Sequence, residues 1–300
     1  MSLEQVAALR KAMLARRAGP PATLEQRRAG FEAQMAAVPL PDDFTTEEVR
    51  IRPDLSGVMC GRASSARDKV LLWLHGGAFI LGSAASYRHM AARLAEAAGC
   101  RVLLLDYRLA PEHPLPAALE DSVAALGWLE EQGFAASHTA LGGDSAGANL
   151  ALAAAQDRLG KGQATPAALW LISAYLDLTH SGASVEERAE RDPFVDPATM
   201  PRTAATYLDA HDPQDPRASP LFGPMEGLPP TLIQVGSDEV LFSDSERLAA
   251  AIRQAGGRAV FQEWAGMIHV WPLFAHAIEE GGWAIAQGGA FLKGTLGGAT

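Results

Sequence analysis

Cysteine is nearly absent from this chain. Cys60 and Cys100 are the only two in 300 residues, and they form no CxxC pair. They offer no disulfide framework and are expected as two buried free thiols in a reducing cytosol. Long apolar runs are missing too: the longest, 167–176, has the length of a core strand, well short of the ~18 residues of a membrane span. Positive charge is in deficit, with 25 Lys and Arg against 35 Asp and Glu and a net charge of −10. A nucleic acid or an anionic membrane would need a basic surface, so neither is expected as a partner. There is no HExxH, no paired-carboxylate metal motif and no glycine-rich loop ending in Lys-Ser/Thr, so no metal or nucleotide cofactor is called for. Repeats and low-complexity tracts are lacking as well.

The N-terminus has no apolar stretch followed by a small-residue cleavage site, so secretion is not indicated. Arg10, Lys11, Arg16, Arg17, Arg27 and Arg28 would suit a targeting peptide, but Glu4, Glu25 and Glu32 break its acid-poor pattern. An amphipathic surface helix and a cytoplasmic protein are expected instead. Hydrophobic residues make up 48 % and charged residues 20 % of the chain, an ordinary globular balance.

Residues 3–17 and 24–35 carry apolar side chains at helical spacing, separated by Pro20-Pro21. Residues 49–52 and 57–62 read as two short edge strands. Lys69–Leu74 and Val102–Leu105 are continuous apolar strands, of the kind buried on both faces of a parallel sheet. Helices are expected over 87–98 and 117–132, flanking an irregular 106–116 with three prolines. Strands at 168–174, 231–235 and 258–264 and helices at 243–254 and 278–293 follow. The alternation means an α/β fold with a mostly parallel sheet. Between Asp177 and Pro230 it breaks: nine prolines fall there, and only 197–208 looks helical. A 50-residue interruption of this kind is usually a lid or insertion.

The stretch with chemical content is Gly143-Asp-Ser-Ala-Gly147, between a short apolar strand (Ala140, Leu141) and a helix-forming run (149–155). Gly-x-Ser-x-Gly at a sharp strand–turn–helix junction holds a serine hydroxyl at the carboxyl end of a sheet, beside the free N–H groups of a helix start. Flanking glycines let strand and helix pass closely. Alone, the motif could equally be a glycine-rich turn.

A serine nucleophile needs a base, an acid that orients the base, and donors for the oxyanion. His269 sits in a loop directly after the last expected strand and can reach across the sheet edge; His276 reads as a surface residue within a helix over 272–280. For the acid, Asp238 comes first off the end of the 231–235 strand and is preferred. Glu239 competes with it, or simply favours the next helix start, and Asp244 suits the first turn of the 243–254 helix. Donors are expected from His75-Gly-Gly-Ala78, which follows a buried strand, and from the amide of Ala146.

His75-Gly-Gly77, Asp106-Tyr-Arg-Leu-Ala-Pro-Glu112, Pro116-Ala-Ala-Leu-Glu-Asp121, Gly143-Asp-Ser-Ala-Gly147, Asp238 and His269 together resemble the hormone-sensitive-lipase-like branch of the α/β-hydrolases, which includes bacterial esterases and arylacetamide-deacetylase-like enzymes. The resemblance covers about residues 69–295 and implies an α/β-hydrolase fold with a helical cap. Residues 46–176 and 226–300 would form the catalytic domain; the N-terminal helices (1–45) and the 177–225 insertion would form the cap. It implies Ser145 as nucleophile, His269 as base, Asp238 as orienting acid, and an oxyanion hole of the Gly77, Ala78 and Ala146 amides with Gly76 shaping the turn.

Three positions depart from the family pattern. Ala78 replaces a glycine, acceptable for an amide donor unless its φ is positive. Asp238-Glu-Val-Leu replaces Asp-Pro-Leu. His269-Val-Trp271 replaces His-Gly-Phe, which would place bulkier side chains near the substrate pocket. The expected activity is hydrolysis of short- to medium-chain carboxylic esters, a small-molecule substrate. Lactone or amide hydrolysis and acyl transfer use the same groups, whereas a non-catalytic receptor on this scaffold is disfavoured by the intact His269. An exposed last strand and helix could pair two copies as a homodimer.

Overall fold

The computed structural model describes residues 3–19 and 22–297; the Pro20-Pro21 break and residues 298–300 lie outside them. Two helices, α1 (Leu3–Arg17) and α2 (Leu24–Ala36), lead into an eight-stranded sheet of order β1-β2-β4-β3-β5-β6-β7-β8. Its strands are β1 (Thr45–Arg52), β2 (Leu55–Gly61), β3 (Ala66–Leu74), β4 (Cys100–Leu105), β5 (Thr139–Asp144), β6 (Ala168–Ile172), β7 (Thr231–Gly236) and β8 (Ala259–Trp264). From β4 to β8 every neighbouring pair is parallel, while β1 and β2 join as antiparallel strands. Only β1 is an edge at that end, because β2 pairs on its other side with β4. The remaining helices are α3 (Arg88–Ala98), α4 (Ala117–Glu131), α5 (Ala146–Gly160), α6 (Ser184–Glu187), α7 (Met200–Leu208), α8 (Phe242–Gln254) and α9 (Glu279–Thr295).

The central strands are mainly apolar and buried because both faces of the sheet are covered. In β3, Val70, Leu72 and Leu74 join one core cluster and Leu71 and Trp73 the other, as the two-residue period of a strand requires. The first cluster lies under α4, α5 and α8; the second lies under α3 and α9, where Trp73 and Trp170 meet edge to face at 5.5 Å. Each such side chain, fully buried, contributes about 1.5–3 kcal/mol.

The N-terminal helices and the insertion dock on this body rather than extend its sheet. Val6, Phe31 and Met35 enter the second cluster; Met200, Ala204, Tyr207 and Leu208 of α7 enter the first. Thr23 caps α2 in a reciprocal box with Gln26. The insertion contains the expected 197–208 helix, as a 3-10 turn running into α7, and also the single-turn α6, too short to show helical spacing in the sequence. Residues 271–274 form a 3-10 turn instead of the start of a helix, so His276 lies exposed in a turn ahead of α9. Both cysteines are buried and unpaired, and burial pushes their thiols up to about 12. No described helix is long and apolar enough to cross a membrane.

Candidate active site

The junction of β5 and α5 sets the site. Ser145 adopts φ 52° and ψ −117°, a strained conformation for a residue with a side chain. It is held there by hydrogen bonds from its amide to the Ile172 carbonyl (2.9 Å) and to its own carbonyl from the Tyr175 amide (3.2 Å). The two flanking glycines are required by contact: a Cβ on Gly143 would come within 2.4 Å of the Gly147 backbone, and one on Gly147 within 1.9 Å of the Leu74 carbonyl oxygen. This is the close strand–helix passage that the motif implied.

His269 arrives from the loop after β8, and its Nε2 lies 3.0 Å from Ser145 Oγ. Its Nδ1 lies 2.8 Å from Glu239 Oε2, not from Asp238. The expectation for the acid is therefore corrected by one residue. After β7 the chain turns tightly, with the Glu239 amide donating to the Gly236 carbonyl (3.3 Å), so neighbouring side chains leave in different directions. Glu239 points inward and is fully buried. Its Oε1 accepts from the Gly236 amide (2.6 Å) and from Ser173 Oγ (2.7 Å). Asp238 points outward to an ion pair with Arg10 of α1, with Arg191 4.0 Å away.

Burial, with the charge of Asp192, holds the Glu239 carboxyl above its ordinary value, against its donors and the His269 charge, which favour the ionised form. Burial pushes His269 down; the hydrogen bond and charge of Glu239 and the charges of Asp192 and Asp144 outweigh it, leaving the imidazole above its ordinary value.

Ser173 was missed by sequence reasoning. It follows β6 with φ 50°, donates to Glu239, and accepts from the Val270 amide at 3.0 Å, so it ties the acid to the histidine loop. Nothing in its local sequence marks it. Asp244 lies in the first turn of α8 as expected but does not cap it: the side chain is buried, and its Oδ2 accepts from the amides of Leu176 (2.8 Å) and Asp177 (3.0 Å).

The loop after β3 faces the serine turn. His75 is buried and stacked on Tyr107 (4.1 Å between centroids), and burial pushes it down to about 4, so it is neutral at pH 7. The Gly76 amide is engaged by Tyr87 Oη (3.0 Å), which in turn donates to Asp144 Oδ2 at 2.7 Å. Gly76 is thus removed from the donor set and belongs to a chain of bonds joining this loop to the residue before Ser145. No described group accepts from the amides of Gly77 or Ala78. Ala146, first residue of α5, has an amide with no partner within its own helix.

The condition placed on Ala78 is not met: its φ is +54°, and Gly77 and Phe79 beside it are also positive. A left-handed alanine costs about 1–2 kcal/mol, a burden on stability that leaves its N–H in place. Phe79 holds the bend by stacking on Tyr207 of α7 at 3.7 Å.

Val270 and Trp271 are both buried in the second cluster, with the Trp271 ring 5.6 Å from that of Trp264. Phe194 of the insertion is 41 % exposed and lies 5.5 Å from the His269 ring and 6.2 Å from Phe274.

Known proteins resemble this chain in both sequence and fold. A family model described as alpha/beta hydrolase fold matches residues 71–273. An acetyl-hydrolase of Streptomyces hygroscopicus is 47 % identical over 229 residues, covering 76 % of this chain and 77 % of that protein. An esterase of Acinetobacter venetianus is 37 % identical over 243 residues, covering 80 % of each chain. A crystal structure of an esterase from the bacterial hormone-sensitive lipase family superposes with a TM-score of 0.95 at 39 % identity, covering 98 % of this chain and 99 % of that one. The chain belongs to the α/β-hydrolase fold family. Within it, the chain is a member of the hormone-sensitive-lipase-like branch of bacterial esterases.

Proposed function

We propose that this carboxylic ester hydrolase works through Ser145 as nucleophile, His269 as general base and then acid, and Glu239 as the carboxylate that orients the imidazole. The reading rests above all on one continuous line, Ser145 Oγ to His269 Nε2 at 3.0 Å and His269 Nδ1 to Glu239 at 2.8 Å. Ser145 attacks the ester carbonyl as His269 takes its proton. The tetrahedral oxyanion is met by the amides of Gly77, Ala78 and Ala146, and His269 then protonates the leaving alcohol. Water repeats the sequence on the acyl-enzyme. Residues 177–225 and the N-terminal helices act as a cap that screens this line from water, with Phe194 at its inner edge. Short to medium acyl chains, a cytoplasmic setting for the two unpaired thiols and a homodimer through the β8 edge and α9 complete the reading.

The test is hydrolysis of p-nitrophenyl acetate through octanoate by wild type, Ser145→Ala, Glu239→Gln and Asp238→Asn. Turnover should vanish with the first, fall steeply with the second and stay near wild type with the third. Activity persisting in Ser145→Ala would remove the nucleophile; a steep loss confined to Asp238→Asn would return the acid to Asp238. An optimum at sixteen carbons would overturn the chain-length expectation.

A further inference from the structure

Asp192, in the insertion, is a buried carboxylate that the mechanism above does not use. It is 1 % exposed. Its Oδ1 accepts from the amides of Phe194 (2.9 Å) and Val195 (3.0 Å), and its Oδ2 from the amide of Val240 (3.0 Å), the residue directly after Glu239. The same side chain therefore grips two segments 48 residues apart in sequence: the bend that sets Phe194 beside His269, and the turn that carries the orienting acid.

None of the described arginines pairs with its carboxylate. Arg17 donates to the Asp192 carbonyl oxygen (3.3 Å) and pairs with Asp196; Arg10 serves the Arg191 carbonyl and Asp238; Arg188 lies over Phe242 and donates to the Ser237 carbonyl. Backbone amides alone compensate the carboxylate among the described contacts. An asparagine would satisfy only one side of this grip, because one end of its amide donates where a carboxylate accepts at both.

We propose that Asp192 is a positioning residue for ester hydrolysis. Through Val240 it fixes the turn carrying Glu239; through Phe194 and Val195 it fixes the cap against His269; its negative charge supports the imidazolium formed when Ser145 attacks. The inference rests on the reading of Ser145, His269 and Glu239 as the reacting line. The charged groups facing His269 are Glu239 from the turn after β7, Asp144 from the end of β5 and Asp192, the one member from the insertion.

The experiment compares Asp192→Asn, Asp192→Ser and Asp192→Glu in the full chain. The readouts are kcat and KM on p-nitrophenyl acetate across pH, thermal unfolding, and the NMR titration of the His269 ring. For Asn and Ser, kcat should fall about 10- to 100-fold, as displaced catalytic groups do, with a smaller change in KM. Removing a negative charge destabilises the imidazolium, so the acid limb of kcat/KM and the His269 titration should both move to lower pH. Asp192→Glu should lower kcat while leaving the acid limb near its wild-type position. An unshifted His269 titration with a lowered melting temperature would make Asp192 purely structural and overturn the proposal, as would failure of all three variants to fold. The ring titration does not depend on turnover. A wild type inactive on esters would sink the functional reading while still deciding whether Asp192 acts on His269.

Discussion

The body and the roof of this molecule are held by different forces. The body is the sheet with α3, α4, α5, α8 and α9, and its central strands are apolar on both faces and closed to water. The roof is α1, α2 and residues 177–225. Parts of it share the apolar cores, but arginines fasten it over the site. Arg10 joins α1 to Asp238 and to the Arg191 carbonyl, and Arg17 joins it to Asp196 and to the Asp192 carbonyl. Arg28 of α2 reaches the Ile80 carbonyl (2.7 Å), the Ala110 carbonyl (2.9 Å) and both oxygens of Glu112. Hydrophobic burial is large and non-directional, so it secures the body. Part-exposed ion pairs are weak individually but fix orientation, so they hold the roof in register. The proposed reacting groups lie at the seam: Ser145 and His269 come from the body, Phe194 of the roof lies 5.5 Å from the His269 ring, and Asp192 bonds the turn that carries Glu239.

The largest separation should come from the seam itself. Ser145→Ala or His269→Ala should cost on the order of 10⁶ in kcat, and loss of Glu239 somewhat less, about 10⁴. Body and roof then part on stability. Leu72→Ala, at a fully buried position in β3, should cost about 2–5 kcal/mol of folding free energy by denaturant unfolding. Arg10→Ala should cost less than about 1 kcal/mol, because its pair with Asp238 is part-exposed. It should instead alter KM and make activity less sensitive to salt than in wild type. An Arg10→Ala loss as large as that of Leu72→Ala would erase the distinction.

Effects of pH follow from the buried acids and the imidazole. Activity should fall as pH drops through the raised His269 value, because the protonated ring cannot take the serine proton. Burial pushes Asp144 up to about 6 and Asp244 up to about 7, both from an ordinary value of 3.8. The folded state then binds more protons than the unfolded one between those limits, so the two groups subtract stability as pH rises through that window. Asp244→Asn should flatten the upper part of that slope in melting curves taken from pH 5 to 7.5; an unchanged slope would assign it to other groups. The smallest effect is expected for Ala78→Gly. Relief of a left-handed alanine is worth about 1 kcal/mol and is partly offset by the lost methyl packing, so the melting temperature should hold or rise slightly at unchanged kcat.

Much of this was legible in the residue order. Continuous apolar strands announced the parallel sheet, because a strand covered on both faces has no polar alternation to show. Gly143 and Gly147 announced the serine turn, since no other residue permits so close a passage. The place of His269, in the loop after the last strand, followed from chain order. What the sequence could not order was Asp238 against Glu239. Both are carboxylates leaving one strand end, and the preference for the first ignored the tight turn that sends it outward to Arg10. Ser173, Tyr87 and Asp192 were silent for a similar reason: their partners lie 66, 57 and 48 residues away in the chain.

The sequence by itself determined the sheet, the strained serine and the histidine, because strand periodicity and glycine sterics are local and act wherever the chain goes. Tertiary structure alone decided which carboxylate meets the imidazole and how the roof is fastened above it. Those choices depend on the direction of a turn and on side chains brought together from distant segments, and neither is written in any short stretch of residues.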